Sequence, residues 1–197
     1  MSEIVASEDV VVPHPIQLVV DDDLRRNRLT VFFRLLLAIP LFVWLTLWSI
    51  LVAFAVIVAW VVGLVVGRVP DGLHEFLARY TRFSTHVSAY LLLVADPYPG
   101  FTGEPGYPVD LRIAPATAQN RLTILFRLIL AIPATIVMNV LQNVAWIVAF
   151  LGWFYALVTG RMSKGMRDLL AYCVRYQAQT WGYMLLLTQR YPSFSDE

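Results

Sequence analysis

Few residues in this chain can handle a proton, a metal ion or a nucleophile. There are three histidines, one cysteine and 14 carboxylates in 197 residues. His74 and His86 stand twelve residues apart, about 120° around a helix, so they form no paired ligand face. His14 belongs to a different stretch, and Cys173 stands alone, which excludes an internal disulfide and a multi-cysteine metal centre. No phosphate-cradling glycine loop, dinucleotide fingerprint, H-E-x-x-H or G-x-S-x-G is present. We therefore expect no metal site, no cofactor and no enzymatic activity.

The arginines carry more information. Arg34 and Arg127 lie inside long apolar runs, and an ionisable residue there is a functional candidate by default. Each follows the start of its run by five residues, about 7.5 Å of helix, within reach of snorkelling to lipid headgroups. Pro40 and Pro133 come six residues later and should kink the helix or mark its start, each freeing a backbone carbonyl that a nearby arginine could satisfy. Arg34 and Arg127 are thus expected to anchor the helices structurally or to lipid. Arg79, Arg82 and Arg175 are candidates for reading anionic lipid or a partner, against the plainer alternative of a solvated helix face. Trp60 and Trp153 suit packing between repeats better than a ligand cage.

Those positions recur because the chain repeats itself. Residues 27–40 and 120–133 align at an offset of 93, with 11 of 14 positions identical. Without a gap the offset also pairs Trp60 with Trp153, Gly67-Arg68 with Gly160-Arg161, Arg82 with Arg175 and Tyr90 with Tyr183. It ends by pairing Tyr98-Pro99 with Tyr191-Pro192. We read a polar tail (1–14), repeat 1 (15–101), a Gly/Pro-rich linker (102–107) and repeat 2 (108–194). A short strand is expected near residues 15–20. The acidic tail lacks a basic region and an apolar core, so no signal peptide is expected.

Each repeat holds an apolar run, 29–66 and 122–159. One helix of that length would reach about 57 Å, nearly twice a hydrocarbon core of about 30 Å. Two shorter helices would each just span it. Thr46 and Ser49 in one run, and Asn139, Gln142 and Asn143 in the other, stand where a turn would fall. Basic residues flank both runs and the middles carry none. The reading is a helical hairpin in each repeat, with both termini cytoplasmic by the positive-inside rule. The amides could instead bond between helices.

The end of each unit, 73–95 and 165–188, has apolar residues at helical spacing with charges on other faces. Such a helix lies along the membrane interface or stands as a third span; five ionisable residues favour the interface. The expected fold class is an all-α membrane protein with two tandem helical hairpins (four transmembrane helices), each followed by an amphipathic helix, plus short extended segments.

Composition agrees. Hydrophobic residues make up 58% and charged residues 15%, with a mean hydropathy of +0.64. A net charge of +1 offers no field to steer a nucleic acid. The pattern R-L-x-x-x-F-R-L-x-L-A-I-P, then Ala59-Trp60 or Gly152-Trp153, then G-R and a closing Tyr-Pro-x-Phe, resembles domain of unknown function 4389. That resemblance implies a small bacterial membrane protein, often with the unit in tandem, and no established activity. Leu41 and Ala134 stand where that family often has a histidine after the proline. The expected function is a multi-pass cell-membrane protein of structural or accessory kind. Its cytoplasmic face would contact lipid headgroups, a protein partner or a second copy, and a small transporter or channel is the alternative.

Overall fold

The computed structural model describes residues 13–195, so most of the polar tail lies outside the described residues. In chain order the elements are strand β1 (Ile16–Val20), helices α1 (Arg28–Val66) and α2 (Asp71–Leu91), strand β2 (Val109–Ile113), and helices α3 (Arg121–Leu125), α4 (Arg127–Thr159) and α5 (Lys164–Met184).

The apolar runs begin and end on local signals. Asn27 caps α1, its side chain accepting from the Leu29 N–H, and Asn120 does the same for Leu122 in α3. Gly67 and Gly160 close α1 and α4 in the left-handed region at φ 81° and 71°, which glycine adopts without a side-chain penalty.

Between those caps the expected hairpins are absent. Helix α1 runs unbroken for 39 residues and α4 for 33. Four of the five polar residues at the expected turns, all but Gln142, bond to their own helix. Thr46 Oγ1 donates to Phe42 O, Ser49 Oγ to Thr46 O, Asn139 Nδ2 to Thr135 O and Asn143 Nδ2 to Asn139 O. Back-bonding to a carbonyl three or four residues earlier removes the need for a turn. Nor does proline break the run: Pro40 and Pro133 lie inside their helices, and the one interruption falls at Phe126.

The repeats interlock about a pseudo-two-fold axis. Strands β1 and β2 pair antiparallel with Leu18 opposite Leu111, which are equivalent residues of the two repeats. Several other cross-repeat bonds come in matched pairs. Arg26 N–H donates to Gly160 O as Gln119 N–H does to Gly67 O. Trp60 Nε1 donates to Ile124 O at 3.0 Å, and Trp153 Nε1 to Val31 O at 2.9 Å. Residue 31 therefore lies beside 153 and residue 60 beside 124, so the long helices run antiparallel.

Three layers result. The β-ribbon packs on α2 and α5, which pack in turn on α1 and α4. Helix α2 returns antiparallel along α1, with Leu41 against Phe83, Val87 and Tyr90. Trp48 meets Tyr80 with ring centroids 5.8 Å apart. Small residues let α4 sit closely: Ala145, Ala149, Gly152 and Ala156 are buried against α5 and its neighbours. The apolar faces of α2 and α5 thus meet protein on both sides, which corrects the expectation that they dip into the lipid boundary.

Candidate functional site

The two arginines inside the long apolar runs act as structural clamps on the turns that end α2 and α5. Arg34 is 2% exposed and reaches the turn after α2. It donates to Tyr90 O, to Ala95 O at 3.2 Å and to Asp96 Oδ1 at 2.9 Å. Arg127 repeats the geometry on the turn after α5, donating to Tyr183 O at 2.6 Å, Thr188 O at 3.1 Å and Gln119 Oε1 at 2.6 Å. Each guanidinium also lies over a tyrosine ring, Tyr90 at 4.4 Å and Tyr183 at 4.7 Å. A helix C-terminus carries unpaired carbonyls and partial negative charge, which a planar fork of donors matches.

A second residue completes each clamp. Arg26 donates to Leu93 O and Val94 O and pairs with Asp22 at 2.7 Å. Its repeat equivalent, Gln119, donates to Leu186 O. Together they hold Leu93 and Leu186 at φ 61° and 62°, a conformation that non-glycine residues rarely adopt. Snorkelling to headgroups and bonding at a proline-freed carbonyl are both overturned for Arg34 and Arg127. Their backbone partners are carbonyls 56 to 61 residues downstream, joined by the Asp96 carboxylate for Arg34 and the Gln119 side-chain oxygen for Arg127.

The other sequence candidates separate. Arg82 bonds to Leu111 O and Gly103 O and pairs with Asp110 at 3.3 Å, fastening the linker and β2 to α2. Arg175 is 7% exposed, donates to Phe194 O and lies over the Tyr172 ring. Arg175 is buried and Arg82 half-buried, so neither projects fully into solvent. Arg79 does, in an exposed pair with Glu75 at 2.7 Å. Trp60 and Trp153 form the cross-repeat bonds described above. Trp48 packs on α2, and Trp44 donates to Phe101 O.

Sequence reasoning missed a buried cluster beside the ribbon. His86 Nε2 lies 3.0 Å from Asp110 Oδ1, and its ring stacks on Tyr107 at 4.7 Å. Burial pushes the His86 pKa below its ordinary value, more strongly than the carboxylate raises it. The spacing of 24 residues, across two elements, gave no sequence signal. Nearby, an open groove of about 540 Å³ is lined by Asp71, His74, Glu75, Arg79, Arg82 and Glu104 among others. Among the described residues no group of three His, Cys, Asp or Glu is placed to hold a metal ion.

Surface chemistry divides by layer. Exposed large apolar side chains lie on 29–66 and 122–158, apart from Tyr98, Phe101, Leu169, Tyr191 and Phe194. No exposed charge falls within those segments. Helices α1 and α4 are long and apolar enough to cross a membrane, and only 17% of the most apolar window of each is buried.

The family model for Domain of unknown function (DUF4389) matches residues 28–102 and 121–196. The chain belongs to this family. The two matches are the two tandem units, and both clamp arginines fall inside them. No curated protein matches, and no solved structure does. The DUF4389 unit in this chain therefore consists of a long apolar helix, a returning polar helix and the clamped turn that ends it.

Proposed function

We propose that this DUF4389 protein is an integral membrane protein of accessory, non-enzymatic kind, held in the bilayer by α1 and α4. Its polar layer of α2, α5 and the ribbon faces water, where the groove beside Glu75 and Arg79 is available to a protein partner. The observation behind this reading is the division of the surface. Two helices of high mean hydropathy, 2.9 and 1.8, leave most of their apolar surface uncovered. A soluble monomer rarely exposes a contiguous apolar patch beyond a few hundred Å². A core helix of a soluble protein would be mostly buried, and these are not.

The transporter alternative has less support. A path between the repeats would need polar lining, but the Trp60 indole ties α1 to α3 and the Trp153 indole ties α4 to α1, at the two ends of the seam. The mid-helix amides of Asn139 and Asn143 are engaged with their own backbone. Alkaline extraction of membranes from expressing cells tests the proposal. The protein should stay in the membrane pellet and need detergent for release. Recovery in the alkaline supernatant would refute membrane integration.

A further inference from the structure

We infer that the protein lies flat in a single leaflet, with α1 and α4 parallel to the bilayer plane and the pseudo-two-fold axis along the membrane normal. This rests on the membrane reading above and specifies its geometry.

Length is the first argument. Helix α1 has 39 residues, about 58 Å, and its exposed face is apolar from Leu29 to Val66 apart from Thr46. A hydrocarbon core is about 30 Å thick. Upright, such a helix would hold long apolar stretches in water, and no polar belt marks where it would leave the lipid.

The neighbouring helix decides more strongly. Helix α2 runs beside α1, and Trp48, close to the midpoint of α1, meets Phe76 and Tyr80 at 6.2 and 5.8 Å. Glu75 and Arg79, the immediate neighbours of those rings, have side chains 64% and 51% exposed. If α1 crossed the membrane, this charged pair would sit near the bilayer centre, where ionisable groups facing lipid are strongly disfavoured. Lying flat puts the same pair in the water layer above the leaflet.

The basic residues agree independently. Because the long helices are antiparallel, Arg28 and Arg161 flank one end of the apolar layer, and Arg68 and Arg121 the other. All four are exposed. An upright molecule would place basic clusters on both sides of the membrane, against the positive-inside rule. A flat one places all of them at headgroup level on the cytoplasmic side, as expected for an interfacial helix layer.

Site-directed labelling tests this. Gly72 and Gly165 are equivalent residues at opposite ends of the molecule, and a Cβ at either meets nothing within 4 Å. Gly72→Cys and Gly165→Cys are made singly in a Cys173→Ala background and probed with an impermeant maleimide on intact cells and on inverted vesicles. Flat insertion gives labelling of both in inverted vesicles and of neither in intact cells. Labelling of one from each side would overturn it. Labelling of both accompanied by release at alkaline pH overturns the membrane reading itself. Release as a soluble dimer would show that a second copy, rather than lipid, covers the apolar layer, and would overturn the inference too.

Discussion

Replacing Arg127 by lysine separates a clamp from a snorkelling anchor. A lysine at a snorkelling position keeps its charge and reach, so stability would barely change. In the clamp, the guanidinium makes three hydrogen bonds, to Tyr183 O, Thr188 O and Gln119 Oε1, and stacks on the Tyr183 ring. A single ammonium has no planar fork and abandons one or two of those bonds. Hydrogen bonds to charged groups contribute about 1.5–3 kcal/mol each, so a net loss of about 2–4 kcal/mol is expected for Arg127→Lys. For a chain of this size that corresponds to a fall in Tm of about 5–15 °C. Arg127→Met should cost more, since it leaves three buried acceptors unpaired. Arg121→Lys, on an exposed side chain, is the control and should stay within about 0.5 kcal/mol. Thermal unfolding in mild detergent, followed by tryptophan fluorescence, reads all three. Equal Tm values for wild type and Arg127→Lys would refute the clamp.

Three further outcomes follow from particular contacts. Gly103 has φ +64°, and a Cβ there would collide with the Arg79 carbonyl oxygen, so Gly103→Ala should cost about 2–4 kcal/mol; Gly72→Ala, in open space within a helix, should not destabilise in the same melts. Burial lowers the pKa of His14, His74 and His86, so the unfolded chain takes up protons first on acidification. Stability should be full above about pH 6.5 and fall as the pH drops below it, and His86→Gln should flatten that slope in melts at a series of pH values. Spin labels replacing the exposed Leu29 and Val65 should lie about 54 Å apart along one unbroken helix; a short distance by pulsed electron resonance would restore the hairpin.

Much of this architecture was legible in the sequence, and the failures share a cause. The 93-residue offset marks the two units, the apolar runs 29–66 and 122–159 coincide with α1 and with α3 and α4 together, and the expected segments 73–95 and 165–188 overlap α2 and α5. The hairpins failed because Thr46, Ser49, Asn139 and Asn143 bond to carbonyls of their own helix, and composition cannot distinguish that from a turn. The arginines were singled out correctly as unusual. Most of their partners, however, are backbone carbonyls of a turn with no side-chain signature, visible only once α2 and α5 fold back along α1 and α4. The expected third helix carried the right amphipathic pattern, but periodicity cannot tell a face that meets lipid from one that meets protein. The ribbon between residues 16–20 and 109–113 needs pairing across the whole first repeat, and a strand is expected from the sequence only at its first segment.

The orientation of the helices in the bilayer tests the central claim most directly. Helix α2 runs back along α1, and α5 packs on α4 in the equivalent way, so most of the helical backbone shares the tilt of the long pair. Polarised infrared spectroscopy of the protein in aligned bilayers reports that tilt through the helical amide I band. A flat molecule gives a band polarised in the bilayer plane, whereas a band polarised along the membrane normal would contradict one-leaflet insertion.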